Sequence, residues 1–166
     1  MRASRSRSGL FPGLRMLRTG APNGSCFIAA ILSHTLNLDL DKQTVPIHMI
    51  EAIRTKLEIR ASSSLNGTQR HQVAVELGAS YVLVDTGRRI ASVDTVAGHD
   101  GTTRFALIAL VGRRHCEPIA PKKGAECGLL DRAALDDWLI THNVAAPTSL
   151  DNLDHNSEEH PLAIDL

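Results

Sequence analysis

The chain has 166 residues, 43% hydrophobic but only 3% aromatic, and its 18 basic and 18 acidic residues cancel to zero formal charge. That length suits one domain with a core of Leu, Ile, Val and Ala. The neutral balance excludes a global field that would draw nucleic acid or a membrane surface, and no apolar run approaches the roughly 20 residues that span a bilayer.

The chain opens without acids. Between Met1 and Leu38 there is no Asp or Glu, while Arg2, Arg5, Arg7, Arg15 and Arg18 are basic. Residues 1–19 therefore read as a basic flexible leader. An Arg- and Ser-rich, acid-free start also fits an organellar transit peptide. A nucleic-acid or membrane-surface arm is the third reading, with almost no aromatics interleaved to support it. Residues 20–145 carry the domain, and 146–166, rich in Asp, Glu and Asn, read as an acidic flexible tail.

Within the domain, periodicity predicts a helix from Cys26 to about Leu36 with Phe27, Ala30, Ile31 and His34 on one face. Thr44 as N-cap and Pro46 in the first turn predict a second helix to about Arg60, with Ile47, Ile50, Ile53 and Leu57 inward. Ser62 to Gly67 is a loop. Thr68 opens a third helix that aligns Gln69, Val73 and Leu77, and Gly78 stops it. Tyr81 to Asp85 and Ile90 to Val96 read as strands joined at Thr86-Gly87. His99-Asp100-Gly101 is a turn before the apolar strand Phe105 to Val111, with Cys116 to Ala120 pairing beside it. A last helix, Asp131 to His142, is built around Leu135, Trp138 and Leu139. Helices first and a small mixed or antiparallel sheet after them give an α+β domain.

Two segments carry chemistry. In Asn23-Gly24-Ser25-Cys26-Phe27, a small-residue turn runs into a helix with a cysteine at the junction. The positive end of the helix dipole and its unpaired N–H groups favour thiolate there. In Gly112-Arg113-Arg114-His115-Cys116-Glu117, a buried strand delivers a histidine at its exit with an acid two positions on. Cysteine, histidine and acid are the parts of a Cys-His nucleophilic machine. Cys26 would attack an amide carbonyl, His115 would carry the proton, and the backbone N–H groups of Gly24, Ser25 and Cys26 would hold the oxyanion. The three cysteines, Cys26, Cys116 and Cys127, suit a reducing compartment better than a disulfide framework. They lack the paired short spacing of a structural zinc site, so no metal is expected. No Gly-x-Ser-x-Gly elbow or phosphate-binding glycine loop is present.

These segments resemble the Asp-Gly-Asn-Cys-Leu/Phe and His-Tyr-Asp/Asn/Glu signatures of the ovarian tumour (OTU) cysteine proteases. Asn66 to Val84 is similar to that family's helix-then-strand unit, and the resemblance spans roughly residues 20 to 121. It implies an OTU-like (papain-like) fold without cofactor. The implied activity is a deubiquitinase, a polyprotein-processing protease of the compact viral kind, or both. Its partner is ubiquitin, a ubiquitin-like protein or the chain's own polyprotein, and its place the cytoplasm, the host's if the chain is viral. The implied catalytic residues are Cys26 and His115, with Glu117 or Asn23 completing the set. Asn23 stands where the family has Asp, Ser25 where it has Asn, and Cys116 where it has Tyr. The loops Ser62 to Gly67 and His99 to Thr103 would hold the extended ubiquitin tail. A catalytically inactive ubiquitin-binding module is the alternative, motivated by Asn23 and Cys116.

Overall fold

Long apolar strands that alternate between two buried faces organise the molecule around a sheet with helices on both sides. The computed structural model describes residues 16–17, 19–22, 24–60, 62–112, 115–121 and 125–145. Its elements are α1 (Cys26–Thr35), α2 (Ile47–Lys56), α3 (Gly67–Leu77), β1 (Ser80–Asp85), β2 (Ile90–Asp94), β3 (Phe105–Val111), β4 (His115–Pro118) and α4 (Arg132–Thr141). The strands lie in the order β2-β1-β3-β4. β1 runs parallel to β3, while β1–β2 and β3–β4 are antiparallel, so this is an α+β fold with a small mixed sheet.

One face of β1 and β3, carrying Tyr81, Leu83, Ala106 and Ile108, packs with residues of α1, α2 and α3. The other face, with Val82, Val84, Leu107 and Ala109, packs against Leu135, Trp138 and Leu139 of α4. Burial on both faces explains why Phe105 to Val111 reads as a continuous apolar run with no polar alternation.

The first helix differs from the expected one-sided pattern. All residues from Phe27 to His34 are buried, because α1 lies on β3 and β4 and is also covered by α3. A helix enclosed on every side has no solvent face to mark with polar residues. Its two polar side chains are satisfied internally. Ser33 Oγ donates to Ala29 O at 2.8 Å, and His34 bridges Leu107 O at 2.7 Å and the Gly128 N–H at 3.1 Å. Nε2 is therefore the donor and Nδ1 the acceptor. Burial pushes the His34 pKa down to about 4.

The second helix starts later and ends earlier than its sequence pattern implies. Pro46 is the N-cap itself, extended at ψ 119°, and the helix stops at Lys56, not near Arg60. Ile47 falls at the exposed end of the first turn and is half exposed, where the periodicity put it inward. The stop comes from Glu58, whose φ of +57° reverses the chain while the Ile59 N–H returns to Arg54 O at 2.8 Å. This is a Schellman closure built without glycine, so no Gly flagged it. The third helix follows its signals more closely. Asn66 and Gln69 form a reciprocal capping box, and Gly78 closes the far end at φ +65°. Gln69 thereby serves the cap, although its spacing had aligned it with Val73 and Leu77.

Two boundaries move in ways that matter for the site. β4 begins at His115, one residue before the expected start, which puts the histidine on the strand. Met16 and Leu17, expected in the leader, are fully buried instead. Leu17 N–H donates to Pro118 O at 2.9 Å, and Met16 bridges Ile119. Their apolar side chains complete the layers on both sides of β4, which basic residues of a solvated arm could not do. Residues 1–15 and 18 of the leader and the 146–166 tail lie outside the described residues. No helix among the described residues is long and apolar enough to cross a membrane.

Candidate active site

The turn before α1 is shaped by what surrounds it. Ser25 N–H donates to Pro22 O at 3.0 Å, closing a tight turn through Gly24. Gly24 sits at φ +80°, and a Cβ there would lie 2.7 Å from the backbone of Ser62 and Ser63. Both the left-handed backbone and the close approach require glycine at this position. The buried Arg54 ties the two segments together. Its Nη2 donates to Ser63 O at 2.6 Å and Arg60 O at 3.0 Å, while Nη1 reaches Gly24 O at 3.4 Å. Three carbonyls around one guanidinium hold the 60–63 loop against the turn that delivers Cys26.

Cys26 is the first residue of α1 and is partly exposed. Its sulfur meets the outer edge of the sheet. In the β3–β4 pair, Ile119 N–H bonds Leu107 O, so by two-residue alternation the N–H of Cys116 points away from β3. That outward N–H donates to Cys26 Sγ at 3.1 Å. The cysteine thus occupies a backbone position that a fifth strand would otherwise take.

His115 and Glu117 are two apart on β4 and share a face. His115 Nε2 lies 2.7 Å from Glu117 Oε2; the carboxylate side chain is 1% exposed and the imidazole 49%. A buried carboxylate accepting from Nε2 fixes the tautomer and leaves Nδ1 as the nitrogen able to exchange a proton. Glu117 reaches the imidazole from two residues along the same strand.

The three cysteines differ sharply in acidity. A hydrogen bond from the Cys116 thiol pulls the Cys26 pKa down to about 6. The backbone N–H groups of Cys116 and Phe27 and the charge of His115 add to this, against the opposing effect of partial burial. Cys116 moves the other way, well above the usual thiol range, because it holds its proton toward Cys26 and is buried. Burial pushes Cys127 up to about 12, so it is an inert core thiol.

No family model, curated protein or solved structure matches this chain.

Of the residues singled out from sequence, Cys26 meets β4 at the Cys116 N–H, with Gly24 and Ser25 in the adjoining turn, while His115 and Glu117 pair with each other on the opposite face of that strand. Asn23 lies outside the described residues. Ser25 N–H is engaged by Pro22 O, so it does not face the site as an oxyanion donor as expected. The Ser62 to Gly67 loop abuts the Gly24 turn through Ser62 and Ser63. The His99 to Thr103 loop is elsewhere. It enters β3 at Phe105, whereas His115 pairs with Val111 at the other end of that strand, about 20 Å along a seven-residue strand. His99 packs instead beside Gly78. Sequence reasoning missed Arg54, whose position beside Ile53 on an amphipathic helix looked like an ordinary charged surface residue. Cys116, read as one of three thiols and as a departure from the family pattern, meets Cys26 through its backbone N–H. Among the described residues no three His, Cys, Asp or Glu side chains converge as a metal site.

Proposed function

We propose that this chain is a thiol-dependent hydrolase of OTU-like (papain-like) architecture, cleaving peptide or isopeptide bonds after the C-terminus of a ubiquitin-like protein. One observation carries the reading: a low-pKa cysteine at a helix start lies against the strand that bears a His–Glu pair. Cys26 thiolate attacks the carbonyl carbon and forms a tetrahedral adduct. The N–H groups of Gly24 and Cys26, without the engaged Ser25 N–H, stabilise its oxyanion. His115, oriented by Glu117, gives its proton to the leaving amine, and then activates the water that releases the thioester. The ubiquitin-like substrate rests on the family resemblance of the two motifs. Free thiols at all three cysteines fit a reducing compartment such as the cytoplasm.

A second reading is a ubiquitin-binding module without turnover. The engaged Ser25 N–H favours it, since it removes one donor from the turn beside Cys26. Covalent capture by a ubiquitin probe with a C-terminal electrophile separates the two. Capture by the wild type that is lost in Cys26→Ala establishes the hydrolase reading. Non-covalent binding without capture establishes the module, and the absence of both capture and binding removes ubiquitin from the account.

A further inference from the structure

A second thiol touches the sulfur that the hydrolase reading assigns as nucleophile. Strand alternation sends His115 and Glu117 to one face of β4 and Cys116 to the other, toward α1. There the Cys116 thiol hydrogen-bonds Cys26, and its own backbone nitrogen lies 3.1 Å from the same sulfur. Both side chains belong to the core beneath α1. Their access differs: Cys26 is partly exposed, while Cys116 is only 5% exposed. Cys127 is buried too, held by its N–H on Leu38 O. An oxidant from solvent therefore reaches Cys26 first, and finds a shielded thiol behind it.

We infer that Cys26 and Cys116 form an oxidative modification site, at which a peroxide converts the pair to a reversible disulfide that closes the proposed active centre. This rests on the reading of Cys26 as the nucleophile only for its effect on activity. In the first step the Cys26 sulfur attacks one peroxide oxygen; the S–O bond forms, the O–O bond breaks, and hydroxide leaves to take up a proton as water. Cys26 is oxidised to sulfenic acid and the peroxide is reduced. In the second step Cys116 gives up its proton and its sulfur attacks the Cys26 sulfur. The S–S bond forms, the S–O bond breaks, and the departing hydroxide takes the proton as a second water. A dithiol reductant reverses the bond by exchange and restores both thiols. Cys116 acts by resolving sulfenic acid before a second peroxide makes the irreversible sulfinic acid.

The test treats the full chain with limiting hydrogen peroxide, alkylates remaining thiols under denaturing conditions and maps the peptides by mass. The expected result is a Cys26–Cys116 linked peptide lighter by two hydrogens, with Cys127 alone alkylated. Probe capture should fall at least about tenfold and return with dithiothreitol, whereas Cys116→Ser given excess peroxide should add two oxygens at Cys26, one from each of two peroxides, and not recover. Wild-type Cys26 carrying two oxygens beside an alkylated Cys116, or a link to Cys127, would overturn the inference; this wild-type map decides even if the variant does not fold. A linked peptide in a chain that never captures the probe leaves the disulfide standing and removes the hydrolase. Capture without linkage does the reverse.

Discussion

His115–Glu117 on β4 and His71–Asp94 between α3 and β2 are built from the same parts. Each couples a half-exposed imidazole, 49% and 48% exposed, to a carboxylate that is 1% exposed, at 2.7 Å and 3.0 Å. They differ in which nitrogen the acid holds. Glu117 takes Nε2 of His115, while Asp94 takes Nδ1 of His71 with both of its oxygens. They differ also in their neighbours. His115 adjoins Cys116, whose N–H reaches Cys26 Sγ, and its charge lowers the Cys26 pKa, whereas His71 opens onto a groove of about 380 Å³ lined by Lys56, Leu57 and Val75 with no thiol. A histidine–carboxylate pair by itself only fixes the orientation of its imidazole. It becomes chemistry when the remaining ring nitrogen has a nucleophile to serve.

The largest effect that would break this contrast is on turnover. His115→Ala should lower ubiquitin-substrate cleavage by about 10²–10⁴, while His71→Ala leaves kcat/KM unchanged. Equal losses from both variants would mean that neither histidine acts on Cys26. Next comes the turn that aims the cysteine. Gly24→Ala forces a Cβ into the Ser62 and Ser63 backbone at a positive φ, and should cost roughly 1–3 kcal/mol in denaturant unfolding together with most probe capture.

The acidity of Cys26 sharpens the comparison in a third way. Only the thiolate reacts with iodoacetamide, and it forms as pH rises. Alkylation of Cys26 should therefore reach half its plateau rate near pH 6, where an ordinary cysteine needs about pH 8.5. A midpoint in the ordinary range would make Cys26 an unactivated thiol. The smallest effect belongs to the other pair: His71→Ala should cost about 1 kcal/mol of stability, read by urea titration, for one lost bond to Asp94.

What the sequence made legible follows the range of each physical signal. The α3 stop at Gly78 is local and reads correctly from neighbours alone, whereas the start, expected at Thr68, falls at Gly67 behind the Asn66 cap that Gln69 completes. The buried strand β3 and its exit toward His115 were legible from composition. The enclosure of α1 was not, because its second covering layer is supplied by α3, some 40 residues later. The stop at Glu58 used a residue with no preference for the left-handed region. At the site, Cys26, His115 and Glu117 were visible as residue types at suggestive positions. The Arg54 clamp and the Asp94 partner of His71 were not, since a cation bound to carbonyls and an acid at a strand end carry no periodicity.

The short contact made by Met16 and Leu17 has a consequence for how the molecule meets its own copies. β4 is an edge strand, and an open edge is a template on which another chain can add a strand. Here Leu17 covers the Pro118 end of that edge and Cys26 covers the Cys116 end. Removing residues up to Leu17 would unplug two apolar side chains and bare one half of the edge. The shortened protein should then self-associate at concentrations where the full chain stays monodisperse.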